Sequence, residues 1–133
     1  MADKVAFELV SPARLLFAGE VDMVVVPGSE GDFGVLPNHS PLISLVRAGV
    51  IAVHQGGKVE SRIFVAGGFA EVTPERCTVL AEEAVNLAGF DRAKAESRLA
   101  AARSRAADAS TEADKAAAQR EIAVVEALLA AAA

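Results

Sequence analysis

Every glycine, every proline and every phenylalanine of this 133-residue chain lies at or before Phe90. From Asp91 to Ala133 there is neither glycine nor proline, and alanine fills 18 of the 43 positions. Glycine and proline punctuate turns and interrupt helices, whereas alanine has the highest helix propensity of any residue. Two different architectures are therefore written in one chain, with a boundary expected between residues 87 and 88. The expectation is a mainly β domain over 1–87 and a helical domain over 88–133.

The first part alternates. Val5, Phe7 and Leu9 oppose Ala6 and Glu8, while Val59, Ser61, Ile63 and Val65 oppose Glu60, Arg62 and Phe64. Period-two patterning in short runs, with turn residues every ten positions or so, predicts a flattened antiparallel β-sandwich. Further strands are expected at Leu15–Ala18, Val21–Val26, Leu42–Val46, Gly49–His54, Phe69–Val72 and Cys77–Leu80. Gln55-Gly-Gly-Lys58 predicts a tight hairpin, because paired glycines adopt the primed turns that match strand twist.

The second part predicts an antiparallel helical hairpin. Asp91 is placed to cap a first helix whose apolar stripe is Ala95, Leu99, Ala102 and Ala106, spaced +4, +3, +4. Thr111-Glu-Ala-Asp114 resembles a capping box for a second helix, with the stripe Ala118, Ile122, Val125 and Leu129. An alanine-rich seam brings helices close but buries little area, at roughly 25 cal/mol per Å². Such a hairpin has high intrinsic helicity and modest packing energy, as suits either a movable arm or a plain surface hairpin.

Between the strand ending at Val26 and the one beginning at Leu42 runs Pro27-Gly-Ser-Glu-Gly-Asp-Phe-Gly-Val-Leu-Pro-Asn-His-Ser-Pro41. Three prolines and three glycines at three-residue spacing (Gly28, Gly31, Gly34) specify the path of a long, shaped loop. Its glycine spacing does not fit a dinucleotide fingerprint, and no Walker A sequence is present. Asp32-Phe-Gly34 matches a kinase triplet by accident, without its companion motifs. His39, His54 and Cys77 show no metal-ligand spacing, so no metal site is expected. Cys77 is expected to pack as a small hydrophobe, and His39 to hydrogen-bond within its own loop. No Ser, Cys or Lys has a base partner nearby in sequence, so no catalytic residue is assigned. The net charge of −5 argues against nucleic acid as a partner. Met1-Ala-Asp-Lys4 lacks the layout of a signal or transit peptide, and no apolar run approaches the roughly 20 residues of a membrane span.

The run GSEGDFGVLPNHSPL followed by Arg47-Ala-Gly49 resembles the signature of the ε subunit of rotary F-type ATP synthases. Leu9-Val-Ser-Pro12, Phe17-Ala-Gly-Glu-Val21 and Gly67-Gly68-Phe69-Ala-Glu-Val72 resemble further segments of that family in the right order. The likeness is dense from about Phe7 to Val85. It implies a non-catalytic rotor subunit of the central stalk, coupling rotation of the c-ring to the catalytic head. The sandwich would grip the γ subunit and sit on the c-ring through Glu30, Gly31, Asp32 and His39. The hairpin would modulate ATP hydrolysis and reach the α/β catalytic subunits. Membrane contact would come only through the complex, at the cytoplasmic face of a bacterial inner membrane.

Some bacterial members of that family bind ATP through I/L-D-x-x-R-A at the start of the first helix. The matching stretch here is Phe90-Asp91-Arg92-Ala93-Lys94-Ala95, with Phe90 replacing the aliphatic residue and Lys94 replacing arginine. A lysine lacks the planar fork of arginine. Weak regulatory ATP binding by Asp91, Lys94, Ala95 and Arg98 is the most that the resemblance implies, and no other cofactor is expected. The competing reading is a free-standing ATP-sensing or ligand-binding β-sandwich. Such a partner-free protein is expected to lack a large exposed apolar patch.

Overall fold

The computed structural model describes residues 3–133. Two compact units result, one running through Ala88 and the other starting at Gly89. Among the described residues the first holds eight strands: β1 (Val5–Val10), β2 (Leu15–Val21), β3 (Met23–Gly28), β4 (Gly31–Val35), β5 (Leu42–Leu45), β6 (Gly49–Gln55), β7 (Lys58–Val72) and β8 (Arg76–Asn86). Their order is β2-β1-β8-β7-β6-β3-β4, with β5 paired to β7 beside that path. A 3-10 turn over Leu87–Gly89 leads to the second unit, made of α1 (Arg92–Asp108) and α2 (Glu112–Ala132).

The β-sandwich keeps the expected alternation where one face is wet. In β1, Val5, Phe7 and Leu9 are buried and lie against Cys77 and Val79 of β8. Val24, Val26, Val35, Ile51, Val53, Ile63 and Val65 complete most of the core, almost all of it β-branched. Cys77 is fully buried there, and desolvation pushes its thiol pKa up to about 12, so it behaves as a hydrophobe. The alternation fails at Phe64, which is buried although its neighbours Ile63 and Val65 face the opposite way. Val59 instead is exposed, close to the turn that starts its strand.

Three features depart from the sequence expectation. The segments Val59–Val65 and Phe69–Val72 are one 15-residue strand rather than two. Its first part pairs with β6 and its last part with β5. The change of partner occurs at Gly67 and Gly68, whose φ angles are +71° and +105°. At Gly68 a Cβ would lie 1.9 Å from the Leu80 carbonyl oxygen, so only glycine fits this corner. The second departure is the β1–β8 pair, which is parallel, while every other pairing is antiparallel. These two strands lie at opposite ends of the domain sequence, so no short turn dictates their direction.

The third departure concerns the segment expected to be a long loop. Its first half is a hairpin in which Val26↔Phe33, Pro27↔Asp32 and Gly28↔Gly31 are cross-strand partners. Pro27 is tolerated because the β3–β6 ladder stops at Val25↔Ala52, so its missing donor breaks no ladder bond. A Cβ at Gly28 would meet the Gly31 carbonyl oxygen at 2.8 Å, which explains the glycine at this tight end. The turn at Gln55–Lys58 forms as expected, with φ of +62° at Gly56 and +80° at Gly57.

Both helices carry the expected caps. Asp91 accepts from the Lys94 amide at 3.1 Å, and Thr111 Oγ1 accepts from the Asp114 amide at 3.1 Å. Ala95, Leu99 and Ala102 are the buried residues of α1, while Ala106 is only partly covered. In α2 the buried residues are Ala118, Val125 and Leu128, so Leu128 rather than Leu129 ends the stripe. No helix among the described residues is long and apolar enough to cross a membrane.

Candidate functional site

The β3–β4 hairpin projects an acidic tip. Ser29 and Glu30 form its turn, Gly31 begins the return strand with a φ of +132°, and Asp32 follows it. The tip is tied to the last residue of β5 and to the chain just after it. Ser29 donates to the Leu45 carbonyl at 2.9 Å, and the Arg47 amide donates to the Pro27 carbonyl at 2.9 Å. The Arg47 guanidinium spans both strands of the hairpin. Its Nη1 donates to the Gly28 carbonyl at 2.7 Å, and its Nη2 donates to the Asp32 carboxylate at 2.6 Å. Beside the tip lies an open groove of about 430 Å³, lined by Ser29–Phe33 on one side and Leu42–Leu45 on the other.

Glu30, Gly31 and Asp32 are thus brought together, but His39 is not among them. It follows β4 at the far end of the hairpin, where the Asn38 amide donates to the Pro74 carbonyl at 2.8 Å. His39 Nδ1 donates to the Ser40 carbonyl at 2.6 Å, a bond that shapes its own loop. Asn38, at φ +65°, supplies the left-handed bend that asparagine tolerates better than most residues.

A second feature was not visible as a pattern in the sequence. Leu45, Phe69, Leu80, Val10 and Leu15 are successive cross-strand partners on β5, β7, β8, β1 and β2. Partners in register share one face, so these five side chains form a single apolar row. Leu45, Leu15, Phe69 and Leu80 are 68, 56, 42 and 41% exposed, which marks the row as an outward face and not core. An open groove of about 370 Å³ runs along it, between Val10, Phe69 and Leu80. Ile43, two positions before Leu45 on β5 and so on the same face of that strand, is 71% exposed. Apolar residues this concentrated on a sheet face mark a docking surface. The five lie on five strands, with cross-strand partners between 5 and 70 positions apart, so only the register reveals them.

In the helical unit the four residues of the expected nucleotide motif have structural partners or exposed positions. Asp91 is the helix cap, and Ala95 is buried in α1. Arg98 donates through Nε and Nη2 to the Glu121 carboxylate, bridging α1 to α2. Lys94 is exposed and has no ion-pair partner among the described residues. Arg103 and Glu126 add a second bridge at 3.2 Å. The Arg98 hydrogen bonds hold the Glu121 carboxyl below the usual range, against the opposing effect of partial burial. No group of metal-ligating side chains occurs among the described residues.

An acidic tip, an apolar sheet face and a capped helical hairpin define a protein that works by docking to other proteins. The family description that matches residues 4–87 is the β-sandwich domain of the ATP synthase delta/epsilon chain. The chain is 59% identical over 131 residues to the ATP synthase epsilon chain of Rhodospirillum rubrum, covering 98% of each. It is 53% identical to that of Maricaulis maris, covering 100% of this chain and 99% of the relative. Among solved structures, a chain of the Euglena gracilis mitochondrial ATP synthase superposes with a TM-score of 0.80 at 25% identity, covering 98% of this chain and 82% of that one. A chain in the central stalk/c-ring structure of the Tetrahymena thermophila mitochondrial ATP synthase shares the fold, at a TM-score of 0.62 and 14% identity, over 98% of this chain and 97% of its own length. The chain belongs to the ATP synthase epsilon chain family. It is a structural and regulatory subunit of that complex and not itself a catalyst.

Proposed function

We propose that this chain is the rotor element that joins γ to the c-ring in the central stalk. The observation that carries this reading is the outward apolar row on the sandwich, with the acidic tip as a second, separate contact. A rotor part must grip one partner firmly and meet another in a fixed orientation. The row supplies apolar area for the firm grip on γ, and the tip supplies charge that orients more than it binds. The tip would face the polar loops of the c-ring at the cytoplasmic side of a bacterial inner membrane. A free-standing ligand-binding sandwich fits less well, since it has no use for an apolar face of this extent.

Within this reading the helical hairpin tunes hydrolysis by changing pose against the α/β subunits. ATP would be at most a weak ligand of the hairpin, because Arg98 must leave Glu121 before it can meet a phosphate. The test of the docking reading is a pull-down of γ by the full chain. Phe69→Ser together with Leu80→Ser should weaken γ capture by at least tenfold, as loss of central apolar anchors costs about 2 kcal/mol each. Capture at wild-type strength by a folded double variant would refute the assignment of this face.

A further inference from the structure

We infer that Arg47 is the positioning residue of the acidic tip, and that Glu30 rather than Asp32 carries the charge the tip offers to its partner. This rests on the proposal that the tip docks on the c-ring. The backbone bonds from Leu45 and Arg47 reach only the β3 side of the hairpin, at Ser29 and Pro27. The Arg47 guanidinium alone continues across, holding the Gly28 carbonyl with one nitrogen and the Asp32 carboxylate on β4 with another. A planar fork is suited to two acceptors in different directions, which a single ammonium is not.

Asp32 is therefore compensated from within the chain, and the pair is close to neutral when seen from a distance. The Glu30 side chain, on the turn itself, has no hydrogen bond or ion pair among the described residues. A partner meeting the tip encounters one net negative charge, at Glu30, on a turn whose orientation Arg47 sets. In the sequence Glu30 and Asp32 are simply two acids flanking one glycine. The structure separates them into a recognition charge and an internal strap.

The test measures binding of the full chain to a detergent-solubilised γ–c-ring subcomplex at several salt concentrations, with amide exchange of the free chain in parallel. Arg47→Met and Asp32→Asn should each weaken binding by about tenfold through loss of tip order. The double variant should be no weaker than either single one, because both remove the same strap. Glu30→Gln should weaken binding independently of that pair and flatten its salt dependence. Arg47→Lys should recover part of the loss. In the free chain, Arg47→Met should speed exchange at Gly31–Phe33 and leave the sandwich core unchanged.

Multiplying effects of Asp32→Asn and Arg47→Met would overturn the inference, as would unchanged or tighter binding by Arg47→Met. Unchanged exchange at the tip of Arg47→Met would overturn it too. Failure of the wild-type chain to bind the subcomplex would instead defeat the docking proposal, and the exchange measurement would then decide the role of Arg47 by itself.

Discussion

Replacing Glu121 by glutamine tests what holds α1 and α2 together. The change keeps the shape of the side chain and removes the charge that Arg98 grips with two nitrogens. Both side chains are less than one-third exposed, at 31% for Arg98 and 27% for Glu121, so the pair is screened less than a surface bridge. A forked arginine–carboxylate contact of this kind contributes about 1–2 kcal/mol. Amide exchange in α1 and α2 of the full chain should therefore accelerate by roughly 5- to 30-fold in Glu121→Gln. Exchange in β1, β7 and β8 should not change. The pH dependence has a definite sign. The Glu121 carboxyl is held below its ordinary value in the folded chain, first by the Arg98 hydrogen bonds and then by the charges of Arg98 and Arg105. Its contribution is thus complete above the ordinary glutamate pKa of about 4.3 and is lost as pH falls through the lower folded-state value. Wild-type protection in the helices should drop across that acid window, and the variant should lack this part of the drop. Equal protection in the two proteins, or an identical acid slope, would refute the argument that the ion pair and not the alanine seam sets hairpin stability.

Three other outcomes are expected. Gly68→Ala should lower sandwich stability by about 3 kcal/mol or more in urea melts, since its Cβ collides with backbone and its φ is unfavourable for alanine. Titration calorimetry with ATP should show weak binding that strengthens in Lys94→Arg; tight binding by the natural chain would show that the other helix arginines supply the site. Truncation after Ala88 should leave a soluble sandwich that still captures γ, and ATP hydrolysis by an enzyme rebuilt with it should rise only slightly. The segment from Asp108 to Ala133 has two basic and five acidic residues, so α2 is net acidic and would be repelled by any acidic surface of the catalytic head. A many-fold rise in hydrolysis would mean that packing, not charge, drives inhibition.

The parts of this fold that sequence reveals are those set by a few neighbouring residues. Asp91 and Thr111 cap helices because a side-chain oxygen three positions before an orphan amide is a local matter. Gly56 and Gly57 make their turn for the same reason. What escapes is set by register between distant strands. Nothing in Gly31–Val35 alone announces β4, because its pairing depends on Pro27 and Gly28 being accommodated at the end of β3. The two glycines in mid-strand look like a break, yet they let β7 bend while staying one strand. Arg47 lies fifteen residues from Asp32 and gives no sign in the sequence that its side chain returns there. The nucleotide motif illustrates the converse, for its residues were found by position while their partners, Glu121 above all, were not.

The parallel pairing of β1 with β8 has a kinetic consequence. The first strand to leave the ribosome must wait for the last strand of its own domain before its hydrogen bonds on that side and half its buried face are satisfied. Phe7 and Leu9 stay without their β8 partners until Cys77 and Val79 have been made, some seventy residues later. Closing so long a loop is entropically slow, and contacts of this range place a domain among the slower folders. The helices need no such delay, since α1 and α2 are neighbours in sequence and join through a short turn. During synthesis the sandwich can close only after residue 80 has emerged, and the hairpin follows at once. A strand-forming peptide that mimics β8 would compete for β1 in that interval, and only then.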